Sequence, residues 1–465
     1  MSQFLTAPVP SREMPKGIPY IVGNEAAERF SFYGMKSILF VFMTQYLMGS
    51  DGAAAYLTET EAREYMGWFV ASAYFFPIIG AVVSDAVLGK YLTIILLSAV
   101  YCLGHLSMAF IDLPPPLLQA TLEPKVFMML GLFLIAVGSG GIKPCVSAHV
   151  GDQFGESNKH LLTKVFGWFY FAINLGAFAS YLITPILLDR LGPGWAFGLP
   201  GVLMFLATIA FWMGRHVFVH IPARGSDFVK EAFSGEGLGV ILKLLPIYAF
   251  VAVFWSLYDQ TGSSWIGQAV NMDRNFFGVE WLESQVGAIN PLLILAFIPL
   301  FTGWERPFKF PGIYALVERV VPLNPLRKVG VGFFMTAAAF SISAMIQGWI
   351  DGGATPTIGW QLIAYVIITA AEVMVSVTCL EFSYTQAPPK MKSFVMALYL
   401  LSVSAGNVLT ALVNRLTMDD AGNSSLAGAS YYWFFTGLMI VAAIFFIPVA
   451  KLYKEKTYVQ KESAA

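Results

Sequence analysis

Runs of about twenty largely apolar residues, the length that carries an α-helix across a bilayer, recur along this chain near 17–48, 63–88, 91–112, 125–148, 161–188 and 194–219. A polar stretch at 220–238, with Pro, Gly, Ser and charges, interrupts the series and reads as a linker. Six further runs follow near 239–270, 283–304, 327–350, 357–386, 393–416 and 429–454. The pattern predicts an all-α membrane protein of twelve transmembrane helices. Residues 1–219 form an N-terminal six-helix bundle and 239–465 a C-terminal one, joined by a cytoplasmic linker at 220–238. Lys and Arg are retained on the cytoplasmic side of a membrane. With both termini inside, only Arg63, Lys125, Arg190, Arg274 and Arg415 fall in loops on the opposite side, so both ends are placed in the cytoplasm.

Composition supports the membrane assignment. Of 465 residues, 57% are hydrophobic and 12% charged, about half the charge of a soluble domain. The mean hydropathy is +0.66. Lys plus Arg number 28 against 29 Asp plus Glu, which leaves no basic field for a nucleic-acid backbone. Cys102, Cys145 and Cys379 lie far apart in apolar runs without metal-ligand spacing, and read as small buried hydrophobes. No metal or organic cofactor is expected. Arg12 and Lys16 precede an apolar run much longer than a signal-peptide core, so the first helix is expected to persist in the mature chain.

The informative residues are ionisable groups inside these runs: Glu25, Glu28, Arg29, Lys36, Lys143, Asp259, Glu372 and Glu381. Each would cost about 2.5–3.5 kcal/mol at the centre of a lipid-facing helix. They must face one another or a wet cavity. Locking helices together as buried ion pairs is the structural alternative to a functional site. In the first run, Glu25, Glu28, Arg29, Phe32, Tyr33 and Lys36 fall on one helical stripe, and Glu25 stands four residues before Arg29, the spacing of an intrahelical ion pair. A guanidinium flanked by carboxylates can hold an anionic ligand group once a carboxylate is neutralised. The stripe therefore reads as a proton-dependent anion clamp.

Twelve spans in two halves, with the loop from Gly80 through Asp85 to Gly89 and Lys90, resemble the major facilitator superfamily, in which a central cavity lies between related halves. Asp85 and Lys90 are expected to pair at the cytoplasmic helix ends. More specific motifs run through the chain in order. Glu25-Ala26-Ala27-Glu28-Arg29-Phe30-Ser31-Phe32-Tyr33-Gly34 resembles the ExxERFxYYG signature of the proton-coupled oligopeptide transporters (POT/PTR family). Gly138-Ser139-Gly140-Gly141-Ile142-Lys143-Pro144 and Phe166 through Asn174 to Gly176 resemble its second and third signatures. The stretches from Phe254 through Asp259 to Trp265, from Gln285 to Pro291 and from Ala371 through Glu372 to Pro388 extend the resemblance into the second half.

The resemblance implies proton-coupled symport of di- and tripeptides by alternating access, in a multi-pass monomer of the cytoplasmic (inner or plasma) membrane that is not an enzyme. Arg29 and Lys143 would take the peptide carboxylate, supported by Tyr33, and Tyr74 would line the cavity. Asn174, Asn290 and Glu372 would hold the ammonium end. Glu25, Glu28, Glu372 and Asp259 would serve proton coupling, and Lys36 with Asp259 would close the outer gate. Four positions depart from the family pattern: Phe32 lacks the hydroxyl of the first tyrosine in the YYG triplet, Lys36 replaces arginine, Gly67 stands where animal members carry histidine, and Tyr399 stands where a tryptophan is common. His105, His149, His160, His216 and His220 share no face with the charged stripe, and are expected at surfaces or interfaces. Trp265 and Phe277 are candidates to border a pocket. The alternatives are a proton-coupled carrier of nitrate or another small solute, a peptide sensor that transports nothing, and a membrane peptidase. Glu372 argues against the anion. The sequence has no HExxH or GxSxG motif to support the peptidase.

Overall fold

The computed structural model describes residues 4–112, 123–223, 225, 235–303, 311–386, 392–419 and 424–454. The chain divides into two compact units, Met1–Phe228 and Val229–Ala465. Most of the 220–238 linker lies outside the described residues.

In the first unit, α1 (Ile18–Val41) runs into a π-helical turn at Phe42–Tyr46, and α2 (Glu59–Val83) into another at Ser84–Leu88. They are followed by α3 (Lys90–Ala109), α4 (Pro124–Asp152), α5 (Leu162–Leu191) and α6 (Pro193–Met213). The helix starts are written locally. Thr58 caps α2 in a reciprocal box, accepting from the Glu61 amide while the Glu61 carboxylate accepts from the Thr58 amide. Pro occupies the first helical position of α4 and α6, where a missing N–H costs nothing.

Helix α3 shows how such a bundle is sorted in lipid. Leu92, Leu96, Leu103 and Leu106 are exposed, whereas Ser98, Tyr101, Gly104 and His105 are buried. Small and polar residues face neighbouring helices and large aliphatic ones face the acyl chains. A methyl group on Gly80 of α2 would collide with the backbone of Gly141 in α4. One on Gly176 of α5 would lie 2.5 Å from the Ala26 carbonyl oxygen of α1. The bare glycines therefore bring α2 to α4 and α5 to α1 at backbone contact, which carries the charged stripe of α1 into the bundle.

In the second unit, α7 (Gly235–Tyr258) gives way to a 3-10 turn at Asp259–Gly262 and a short α8 (Ser264–Val270). The sequence reads this stretch as one continuous run. The break falls at Ser263, whose φ and ψ of −140° and −81° leave the helical region. A two-residue antiparallel hairpin follows, β1 (Asn275–Phe276) on β2 (Val279–Glu280). The remaining helices are α9 (Ile289–Thr302), α10 (Gly312–Glu318), α11 (Pro325–Asp351), α12 (Gly359–Glu372), α13 (Thr378–Gln386), α14 (Lys392–Thr417) and α15 (Ala429–Leu452). A π-helical stretch at Val373–Val377 links α12 to α13, beginning one residue after Glu372.

Eleven helical segments among the described residues are long and apolar enough to cross a membrane. Helix α1 is not one of them, because it carries Glu25, Glu28, Arg29 and Lys36 within 24 residues. All four side chains are nevertheless buried or nearly so. The fold is an all-α membrane bundle whose most charged helix is among its most enclosed.

Two expectations need correction. Lys90 pairs with Asp152 at the end of α4, at 2.7 Å, rather than with Asp85. His105 and His149 are fully buried, not superficial. His105 Nδ1 lies 3.0 Å from the Phe197 carbonyl, and His149 packs against Phe211 and Phe218. Trp265 is wholly buried against Phe340 and Tyr365, and Phe277 is 92% exposed at the tip of the hairpin. Of the cysteines, Cys145 and Cys379 are buried while Cys102 is half-buried, and all three are free thiols.

Candidate functional site

The first unit gathers its ionisable groups around Arg29. The Arg29 Nε donates to Glu25 Oε1 at 2.7 Å, the i to i+4 contact expected from the spacing, and lies 3.3 Å from Glu28 Oε2. Glu25 is 2% exposed and Glu28 1%. The second oxygen of Glu28 accepts from Ser139 Oγ of α4 at 2.6 Å. The Tyr101 hydroxyl of α3 approaches the Glu28 backbone carbonyl at 3.5 Å. Two helices, α1 through Arg29 and α4 through Ser139, thus fix the Glu28 carboxylate, while α3 meets its backbone. In this arrangement the guanidinium is held by two carboxylates, as it would be when no ligand anion competes.

Lys143 sits beside this cluster on α4. Its Nζ makes no hydrogen bond in the structure. It rests 3.8 Å from the ring centre of Phe32 and 4.5 Å from that of Tyr74, both within cation–π range. The absent hydroxyl at Phe32 therefore has a structural counterpart: a fully buried apolar ring that supports the ammonium. Charges at Arg29, Glu28, Lys36 and Glu25 all act on Lys143. Tyr33 stacks on Tyr181 of α5, ring centres 6.5 Å apart.

Asn174 stands on α5 in the same unit and donates its Nδ2 to the Tyr170 carbonyl at 2.9 Å, which leaves Oδ1 as the atom able to accept from a ligand ammonium. Lys36, in the C-terminal part of α1, is 7% exposed.

The second unit holds its own polar group. Asn290 at the start of α9 donates Nδ2 to Glu372 Oε2 at 2.9 Å and to Thr369 Oγ1 at 3.0 Å. Glu372 is the last residue of α12, immediately before the π-helical stretch. Such a wide turn rotates the following residues relative to a regular helix, and is often found at functional positions. Because Asn290 spends both amide protons on Thr369 and Glu372, it orients the carboxylate. Only its Oδ1 could meet a ligand ammonium. Asp259 lies in the 3-10 turn after α7 and accepts from Asn407 Nδ2 at 2.7 Å. Among the described residues no group of His, Cys, Asp and Glu is arranged to hold a metal ion.

The structure thus brings Glu25, Glu28, Arg29 and Lys143 together in the first unit, and Asn290 with Glu372 in the second. Sequence reasoning missed the roles of Ser139, Thr369 and Asn407, and took Phe32 for a loss. Ser139 was visible as a hydroxyl among glycines in the Gly138–Pro144 motif. Asn407 carried no signal beyond being an amide in an apolar run.

A family model described as PTR2, the POT family, matches residues 91–236 and 234–434. The chain is 35% identical over 387 residues to Peptide transporter family 1 of Drosophila melanogaster, covering 74% of this chain and 48% of that protein. It is 34% identical over 405 residues to human Solute carrier family 15 member 2, covering 78% of this chain and 53% of that protein. The chain therefore spans about half the length of the curated relatives it matches. A crystal structure of the POT family transporter PepTSo superposes with a TM-score of 0.82 at 33% identity, covering 95% of this chain and 99% of that one. The structure of an auto-inhibited POT family peptide transporter gives 0.81 at 31% identity, over 97% and 99% of the two chains.

Proposed function

This chain belongs to the POT family, and from that premise we propose that it imports di- and tripeptides together with protons by alternating access. The observation that carries the reading is the Arg29 cluster, a guanidinium engaged by two buried carboxylates beside an ammonium that rests on aromatic rings without a hydrogen bond. A peptide carboxylate can replace a side-chain carboxylate on Arg29 once that side chain is protonated. Glu25 and Glu28 then link proton uptake to peptide binding, and linkage makes the assistance mutual. Lys143 supplies the second positive charge for the peptide carboxylate, and Tyr33 and Tyr74 supply aromatic surface.

Glu372, oriented by Asn290, offers a negative charge to the peptide ammonium, and the free Oδ1 of Asn174 an acceptor. Side chains between these ends need only apolar and aromatic surroundings, which suits peptides of varied sequence. Lys36 and Asp259, one charge in each unit, act at the outer gate, and Asp259 and Glu372 are further proton carriers. The transporter works as a monomer in the plasma membrane with both termini cytoplasmic, joined through the 220–238 linker. It needs no cofactor besides protons.

Uptake of labelled dialanine into proteoliposomes tests the reading. An inward proton gradient should drive accumulation above the external concentration, and a protonophore should abolish it. Binding without accumulation would make the protein a sensor. Accumulation of nitrate in place of peptide would make it an anion carrier.

A further inference from the structure

We propose that Ser139 is the positioning residue of the proton carrier, a hydroxyl that holds ionised Glu28 in register with Arg29. The inference rests on the coupling role given to Glu28 above and adds a residue to it. Hydroxyls inside membrane helices commonly donate to a carbonyl one turn back. Ser84, Thr93 and Ser147 do so here, to Ala81, Gly89 and the Lys143–Pro144 turn. Ser139 instead donates to a carboxylate oxygen 111 residues away, at 2.6 Å, with both side chains buried. That is the short distance of a charge-assisted O–H···O bond.

The flanking glycines place it. A methyl group at Gly138 would fall 2.6 Å from Tyr101 Cβ of α3, and one at Gly140 would fall 2.6 Å from the Ala73 carbonyl oxygen of α2. With no side chains at 138 and 140, α4 sits against both helices at backbone distance, and Ser139 between them reaches α1. The groups acting on Glu28 from each element are then Glu25 and Arg29 on α1, Tyr101 on α3 and Ser139 and Lys143 on α4.

The hydroxyl discriminates between the two states of the carrier. An ionised carboxylate oxygen accepts the Ser139 proton. Protonation of Glu28 removes much of that acceptor strength and frees the hydroxyl to rotate. Ser139 therefore stabilises the charged state in the geometry that also contacts Arg29, the geometry with which an arriving peptide carboxylate competes. Deleting the hydroxyl shifts the balance between protonated and ionised Glu28 by a factor of about ten, the usual consequence of losing a hydrogen bond to a charged group.

The test compares wild type, Ser139→Ala and Ser139→Thr in proteoliposomes, following proton-driven dialanine uptake against pH and counterflow of labelled against unlabelled dialanine at equal pH. In Ser139→Ala the pH of half-maximal driven uptake should move by about one unit, the displacement that a ten-fold change implies. Counterflow should stay within about two-fold of wild type, and Ser139→Thr should keep the wild-type profile because it keeps the hydroxyl. An unmoved profile in Ser139→Ala, with wild type accumulating normally, overturns the assignment and leaves the transport reading standing. Parallel loss of counterflow and driven uptake overturns it too, by making Ser139 a packing residue. A wild type that shows no gradient-driven uptake removes the coupling role of Glu28, and this inference with it.

Discussion

Replacing Phe32 by Leu isolates what holds Lys143. The ammonium makes no hydrogen bond and lies 3.8 Å from the Phe32 ring and 4.5 Å from the Tyr74 ring. A desolvated cation–π contact contributes roughly 1–2 kcal/mol, and Phe32 gives the shorter of the two. Leucine keeps an apolar side chain at this buried position and removes the π face, so the packing change is smaller than a truncation to alanine. Without that face the ammonium turns toward Glu28 and Glu25, the opposite charges that act on it, and leaves the place where the peptide carboxylate is to meet it. The whole contact, about 1–2 kcal/mol, converts to roughly a five- to thirty-fold weaker dipeptide Kd. The assay is equilibrium binding of dialanine to purified protein, with C-terminally amidated dialanine as the control ligand. The amide has no carboxylate for Lys143 and should bind wild type and Phe32→Leu alike. Tyr74→Phe keeps its ring and should lie within about two-fold of wild type. Equal dialanine affinity in Phe32→Leu and wild type, while Lys143→Ala binds weakly, would refute the idea that the ring positions the ammonium.

Other outcomes follow from the same geometry. Asn290→Ala removes the amide that orients Glu372 and should weaken dialanine binding by about ten-fold, while N-acetylated dialanine, which lacks the ammonium, should lose nothing further; titration calorimetry of both ligands checks this. Adding a side chain at Gly176, which would meet the Ala26 carbonyl oxygen at 2.5 Å, should force α5 from α1 and lower the thermal midpoint by several degrees, read by tryptophan fluorescence. Just beyond the C-terminal end of α6, the His220 amide donates to the Leu5 carbonyl at 2.7 Å, and Phe4 stacks on the His220 ring. Burial, helped by neighbouring His216, lowers the His220 pKa against the opposing bond to the Arg215 carbonyl. A histidine whose folded-state pKa is lowered contributes fully above its ordinary value and is lost on acidification. Hydrogen-exchange protection of the His220 amide, corrected for intrinsic rates, should therefore fall below about pH 6.5 and become insensitive to pH in His220→Gln.

The elements legible in the sequence are those that a single physical demand decides. Lipid demands about twenty apolar residues per span, and the helix bounds from Glu59 onward follow the hydropathy runs closely. The Glu25–Arg29 pair was equally legible, because i and i+4 positions must meet on a helix. What escaped depends on which helix lies alongside. Lys90 could reach a carboxylate on its own loop or on α4, and only packing selects Asp152. His105 looked too polar to bury, yet the Phe197 carbonyl accounts for one ring nitrogen in the interior. The π-helical stretch after Glu372 and the break at Ser263 leave no interruption in the hydropathy runs, because the apolar residues on either side carry the window average across them. Phe32 shows the point most directly. Compared with a motif it is a missing hydroxyl, whereas in three dimensions it is the surface on which Lys143 rests.

The central claim is that Glu25 and Glu28 compete with the peptide carboxylate for Arg29, and that this competition couples the proton to the peptide. The most direct measurement is the double replacement Glu25→Gln and Glu28→Gln in proteoliposomes, which fixes both side chains in the neutral state. Counterflow of labelled against unlabelled dialanine should survive, because Arg29 and Lys143 remain available to the peptide. Accumulation driven by an inward proton gradient should vanish. A double variant that still accumulates dialanine under the gradient would contradict the account and move the coupling site to Glu372 or Asp259.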